Sequence, residues 1–244
     1  MSIAENIAVI RENIARAARS VGRDPGEIRL CAATKMNDAA AVRQAIAAGV
    51  DCCGENRVQE MTQKLSENAY EGCPLHFIGR LQTNKVRQVV GKAQLIHSVD
   101  RLNLLRAIDK EAARQGIIQD ILLEVNIGGE ESKGGFSVDE LWNILNLLPD
   151  FSNVRLRGLM AIPPICENPE GNHKFFQEMY NLSVDITRKK GDNVSATILS
   201  MGMSGDYADA VRCGSNMIRL GTAIFGPRDY TMQHRNDGKI QEER

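Results

Sequence analysis

Ile3, Ile7, Ile10 and Ile14 recur at intervals of three and four residues, which places them on one face of a helix. Ser2 and Glu5 stand at the spacing of a capping box, in which the first turn of a helix satisfies its own loose hydrogen-bonding groups. Turn residues between Gly22 and Gly26 end the segment. Beyond it the apolar pattern shortens. Short runs predict strands over residues 28–33, 50–53, 75–78, 95–99, 121–127, 154–161, 196–199 and 216–220. Helical patterns separate them over 38–48, 57–68, 101–115, 138–148, 170–190 and 205–213, with Gly49, Gly116 and Gly214 placed to close three of these. Ser137 and Glu140 repeat the capping-box spacing.

Strands that alternate with helices imply a parallel sheet, because parallel neighbours need a crossover between them. Eight such units favour closure over an open doubly wound sheet. The expected fold is α/β, a single (β/α)8 TIM-type barrel with an extra N-terminal helix. No internal repeat is visible, and no linker rich in proline, glycine or serine divides the chain. The barrel is expected over residues 1–230, and the polar segment 231–244 as a flexible tail.

Composition narrows the function. The 244 residues suit one such barrel, and 43% hydrophobic with 25% charged residues is a soluble globular balance. A net charge of −1 supplies no basic field for nucleic acid or an anionic membrane. No run approaches the roughly 20 apolar residues that span a bilayer. Glu5, Arg11, Glu12, Arg16 and Arg19 stand where a signal peptide has its apolar core, so a cytoplasmic protein is expected. The six cysteines form no C-x-x-C pair and the four histidines are scattered, so spacing points to no metal site. Cys52 and Cys53 fall on opposite faces of a strand. The cysteines are expected to be reduced and mostly buried.

In an α/β barrel the chemistry stands at the C-terminal ends of the strands. Lys35 follows the first run and shares a face with Ala33 and Cys31. Small neighbours leave room for a bound molecule, and desolvation there favours the neutral amine, which attacks aldehydes. The alternative is a lysine snorkelling out of the barrel mouth. After the last two strands, Gly202 allows close backbone approach, while Ser200, Ser204 and Thr222 offer hydroxyl donors beside a helix start. A phosphate fits there, and so does simple N-capping by Ser204 and Thr222. Arg219 shares its strand face with Met217 and Gly221. If that face points inward, its guanidinium needs a carboxylate or a pyridine nitrogen as partner. No G-x-G-x-x-G stands at a strand–helix junction, so a dinucleotide site is not supported.

Longer motifs carry a resemblance. Ala33-Thr34-Lys35, Gly54-Glu55-Asn56-Arg57-Val58-Gln59-Glu60, and the segment His76-Phe77-Ile78-Gly79-Arg80-Leu81-Gln82-Thr83-Asn84-Lys85 come first. Ile96-His97-Ser98-Val99-Asp100, Gly158-Leu159-Met160, Leu199-Ser200-Met201-Gly202-Met203-Ser204 and Arg219-Leu220-Gly221-Thr222-Ala223-Ile224-Phe225-Gly226 follow in order. Together they resemble the pyridoxal phosphate homeostasis proteins, a barrel family that binds pyridoxal 5′-phosphate (PLP) without clear enzymatic activity and is similar to the N-terminal domain of alanine racemase. The resemblance implies that Lys35 is the Schiff-base lysine and that Ser200, Gly221 and Thr222 hold the phosphate. It also implies that Arg219 faces the pyridine nitrogen and that Asn56 packs near the ring. Thr34 stands where a serine is usual, Cys53 where an aromatic often precedes the Gly-Glu-Asn motif, and Leu75 where a tryptophan is often found. None of these departures removes a proposed ligand.

The resemblance makes a cofactor-homeostasis protein the leading expectation, with PLP as partner, apo PLP enzymes as recipients and no evident catalytic turnover. A PLP-dependent amino-acid racemase is the alternative. It needs a second acid or base across the ring, and none of Tyr70, Tyr180, Tyr207 and Tyr230 lies at a predicted strand end. A Schiff-base aldolase explains a lysine and a phosphate site but not Arg219. Lys85 and Lys133 follow strands and are candidates for a transfer role, or are plain surface charges.

Overall fold

The computed structural model describes residues 1–130, 133–164, 169–188 and 194–227. Eight parallel strands close into a barrel, each paired with the next in chain order and the last with the first. They are β1 (Arg29–Ala33), β2 (Cys52–Glu55), β3 (Leu75–Phe77), β4 (Leu95–Val99), β5 (Gln119–Val125), β6 (Val154–Ala161), β7 (Val194–Ser200) and β8 (Met217–Leu220). The helices are α1 (Ile3–Arg19), α2 (Ala39–Ala47), α3 (Val58–Ser66), α4 (Leu102–Gln115), α5 (Val138–Leu147), α6 (His173–Thr187), α7 (Tyr207–Arg212) and α8 (Thr222–Phe225). This is the (β/α)8 fold with its extra N-terminal helix. Among the described residues no helix is long and apolar enough to cross a membrane.

The extra helix is built as its sequence reads. The Ser2 hydroxyl accepts from the Glu5 backbone N–H at 3.2 Å, and the Ser2 N–H donates back to Glu5 Oε2 at 2.7 Å. Ile7, Ile10 and Ile14 are buried against the barrel's outer layer. Strand alternation divides two cores. Leu30, Ala32 and Cys53 face the helices, while Cys31, Ala33 and Cys52 face the lumen with Leu95, Leu122, Met160 and Met217. Cys52 and Cys53 are thus on opposite faces, as period two requires.

Several elements differ from the apolar pattern. β2 begins at Cys52 and carries Gly54 and Glu55 inside the strand, because a polar side chain counts against a strand in sequence while hydrogen-bonded burial permits it in the fold. β7 extends to Ser200 for the same reason. Between β3 and β4 the crossover is a 3-10 segment, Thr83–Gln88, rather than an α-helix. The expected start of the sixth crossover helix is a 3-10 turn, Pro169–Asn172, so α6 begins at His173. The tail 231–244, Tyr230 and Cys166 lie outside the described residues.

Candidate cofactor site at the barrel mouth

Lys35 is half-buried directly beyond β1, and its backbone is fixed on both sides. The Thr34 carbonyl, in the peptide before Lys35, accepts from Lys64 Nζ at 2.7 Å. That ammonium also donates to Glu55 Oε1 at 2.6 Å, which accepts from the Thr34 hydroxyl at 2.6 Å and the Tyr70 hydroxyl at 2.8 Å. Glu55 is fully buried. A carboxylate taken from water needs such a set of donors. Burial first, then the Glu55 charge, pushes the Tyr70 hydroxyl up, so it stays a donor.

On the other side, Met36 sits in the left-handed region at φ 63°, which costs a non-glycine residue roughly 1–2 kcal/mol. Its N–H donates to Glu60 Oε2 at 2.8 Å. A hydrogen bond to a charged acceptor contributes about 1.5–3 kcal/mol, enough to hold that conformation. Asn37 Nδ2 donates to the Lys35 carbonyl at 3.0 Å. α3 therefore supplies two side chains, Glu60 and Lys64, that hold the two peptides flanking Lys35.

A cavity of about 350 Å³ opens beside Lys35, and Asp38, Gly221, Thr222, Phe225 and Pro227 also line it. β1 and β8 are hydrogen-bonded neighbours, with Ala32 opposite Leu220, so Lys35 and the Gly221-Thr222 turn emerge side by side. The Ser204 hydroxyl crosses to this turn. It accepts from the Thr222 hydroxyl at 3.2 Å and from the Ala223 N–H at 3.3 Å. Gly202 has φ 96°, and a Cβ there would lie 2.7 Å from the Ala210 Cβ, so only glycine brings this loop in.

Arg219 does point into the lumen and is almost fully buried. It donates to the Ser200 hydroxyl at 2.6 Å and to the Ala161 carbonyl at 3.0 Å. Ser200 lies within 3.2 Å of His97 Nδ1, and His97 Nε2 within 3.0 Å of His76 Nδ1. Burial, and secondarily Arg29, pulls His76 down to about 4. Burial, then His76 and Arg219, lowers His97 too. Both rings are neutral at physiological pH. At the mouth, Glu124 is pushed up to about 7, first by burial and then by the Asp100 charge, with Arg219 and Arg80 opposing.

Lys35, Gly221 and Thr222 thus line one cavity. Ser200 and Arg219 meet each other in the lumen below it, and the Ser200 hydroxyl is buried and engaged there. Asn56 follows β2, half-buried, and its Oδ1 is buried without a hydrogen-bond partner. A buried amide oxygen left without a donor fits a ligand-facing role. Gly79 is required beside it, since a Cβ there would lie 2.1 Å from the Asn56 carbonyl oxygen. Tyr70 is engaged behind β2, Tyr207 bonds Asn13 at 3.0 Å and Tyr180 is exposed. Lys133 pairs with Glu130 and donates to the Pro163 carbonyl at 3.1 Å, and Lys85 lies in the 3-10 segment.

The supporting residues Glu55, Glu60, Lys64 and Tyr70, and Glu124 at the mouth, are not found from motifs alone. One signal does exist: Glu60 and Lys64 are four apart, which puts them on one helix face. The lysine, the hydroxyl-bearing turn, the buried arginine and the orphan amide oxygen fit a phosphorylated aldehyde cofactor.

Residues 6–229 match the family model of the alanine racemase N-terminal domain, which defines the class of barrel. The chain is 40% identical to the pyridoxal phosphate homeostasis protein of Aquifex aeolicus over 230 residues, covering 94% of this chain and 100% of that one. It is 38% identical to the protein of that name from Escherichia coli K12 over 233 residues, covering 94% and 98%. It belongs to the pyridoxal phosphate homeostasis protein family. Among solved structures, PipY of Synechococcus elongatus with PLP bound is similar at a TM-score of 0.80 and 33% identity, covering 92% of this chain and 100% of PipY.

Proposed function

We propose that this protein binds PLP at the barrel mouth and serves PLP homeostasis in the cytoplasm, protecting the cofactor and passing it to apo PLP enzymes. The observation that carries the reading is that Lys35 and the Gly221-Thr222 turn line one cavity on neighbouring strands. A relative similar along nearly its whole length has been solved with PLP. When bound, PLP supplies a reactive aldehyde that an amine masks as a Schiff base. Lys35 provides that amine. Thr222, the Gly221 turn and Ser204 would hold the phosphate, and Asn56 would pack near the ring. Arg219 would meet the pyridine nitrogen and discourage its protonation. Ser200 orients Arg219 instead of touching phosphate, because its hydroxyl is already held between His97 and Arg219.

Borohydride reduction followed by peptide mass spectrometry tests the assignment. The expected result is one PLP adduct on Lys35, absent in a folded Lys35→Ala variant. An adduct on another lysine overturns it. Transfer is tested by mixing loaded protein with an apo PLP enzyme in the presence of a PLP trap. Recovery of that enzyme despite the trap supports direct delivery, and recovery only without the trap excludes it.

A further inference from the structure

The lumen holds a second cluster, deeper in the barrel than Lys35 and beside Arg219, which lies opposite Cys31 in the β1–β8 register. Cys52 is the first residue of β2, and His76 is the second of β3. Cys31 lies directly across from Cys52 in the parallel register. Both sulfurs and a ring nitrogen of His76 lie within 4.8 Å of one another, and all three residues are buried. Leu95 and Leu122 belong to the same inner cluster, and Arg219 and His97 are its polar neighbours.

We propose that Cys31, Cys52 and His76 form a binding site for a thiophilic divalent cation, with Zn²⁺ the natural occupant. Bonds of about 2.3 Å to sulfur and about 2.1 Å to nitrogen seat tetrahedral ligand atoms roughly 3.5–3.8 Å apart. The three atoms therefore close on an ion by shifts of about 1 Å, which side-chain rotation supplies. His76 Nδ1 already meets His97 Nε2, so the ion takes Nε2. His97 is then the outer partner that a metal-bound histidine ordinarily has, and it is itself held by Ser200.

The charge balance favours a divalent ion. Binding replaces two S–H bonds with two sulfur–metal bonds and releases two protons. The two thiolates neutralise the cation, so binding adds no net charge beside the buried Arg219. No redox partner is needed, since neither sulfur changes oxidation state. The spacing of this ligand set, 21 and then 24 residues apart, matches no linear zinc motif, and the sheet register alone brings it together.

A different thiol pair supplies the control. Cys53 and Cys73 approach to 3.9 Å on the outer side of the barrel. Metal-free, reduced full-length protein is titrated with Co²⁺ as a spectroscopic probe for Zn²⁺. We expect one ion per chain and a thiolate-to-cobalt charge-transfer band. The band disappears in Cys31→Ser and in Cys52→Ser, and it persists in the Cys53→Ser/Cys73→Ser double variant. His76→Gln weakens Co²⁺ binding at least tenfold while keeping a thiolate band. A wild-type protein without the band overturns the site. So does a band that survives loss of Cys31 and Cys52, or one that vanishes with Cys53 and Cys73. Should the lumen variants not fold, zinc-edge X-ray absorption of the wild-type protein decides independently. Two sulfurs and a nitrogen support the site, and a sulfur-free shell overturns it.

Discussion

At the residue scale, the geometry around Lys35 rests on groups that never touch the cavity. Lys64 satisfies both Glu55 and the Thr34 carbonyl. Lys64→Met removes the cation and leaves a buried carboxylate with only hydroxyl donors. Breaking a buried pair from one side costs about 3–5 kcal/mol, so denaturant unfolding of that variant should show a loss of this size. A loss under about 1 kcal/mol, the value of a surface pair, would mean that water reaches Glu55. Glu124 gives a pH signature. Its carboxyl is raised from the ordinary 4.5 to about 7. Between those values the folded state keeps a proton that the unfolded chain has lost. Stability therefore falls as pH rises from about 4.5 through about 7 and is level above that. The total fall is at most about 3–4 kcal/mol, reduced by screening because the side chain is partly exposed. Asp100, Arg80 and Arg219 are the charges that face it. Glu124→Gln should flatten the curve, matching wild type near pH 4 and exceeding it at pH 8. Equal curves for both proteins would show that Glu124 ionises normally. Little of this was legible in sequence: the four-residue spacing of Glu60 and Lys64 puts them on one helix face, but neither the burial of Lys64 nor that of Glu124 follows from it.

At the scale of elements, period and caps were informative and boundaries were not. The eight apolar runs each lie on a strand, and the two capping boxes open α1 and α5. Gly54, Glu55 and Ser200 fell outside the expected strands because their burial depends on partners from distant elements, such as Lys64 on α3 and Arg219 on β8. Gly158 shows the same limit. It reads as an ordinary interruption of a strand, yet it sits at φ 149° where β6 meets β7, and a Cβ would lie 1.8 Å from the Ile198 carbonyl oxygen. Gly158→Ala should force these strands apart. An essentially glycine-only backbone conformation costs about 1–3 kcal/mol by itself, and the clash adds to it. We expect a loss of about 3 kcal/mol or more in denaturant unfolding, or no folded protein. Gly205→Ala is the control, since a Cβ there meets nothing within 4 Å. Similar losses for both variants would show that the close approach of β6 and β7 is not what requires glycine.

At the scale of the molecule, the proposed site draws its two halves from different strands. The proposed covalent contact rises from β1 and the proposed phosphate contacts from β7 and β8, so the cofactor would bridge the seam at which the first and last strands close. A ligand across that seam stabilises the closed barrel only in its folded form. At a free concentration of 100 times the dissociation constant, such a ligand adds about 2.7 kcal/mol. For a domain of this size each kcal/mol raises the melting temperature by about 2–4 °C, so saturating PLP should raise it by roughly 5–11 °C. Lys35→Ala removes the covalent contact and leaves the Ser204, Gly221 and Thr222 turn intact. It should keep a smaller shift that inorganic phosphate competes away. Thr222→Val removes one hydroxyl of that turn and should weaken the phosphate competition while still giving a Lys35 adduct after reduction. The two variants divide the site into its halves. If Lys35→Ala shows no PLP-dependent shift at any concentration, the phosphate turn contributes nothing on its own. The cofactor would then be held by its covalent bond alone, and release during delivery would be a single step instead of an opening followed by departure.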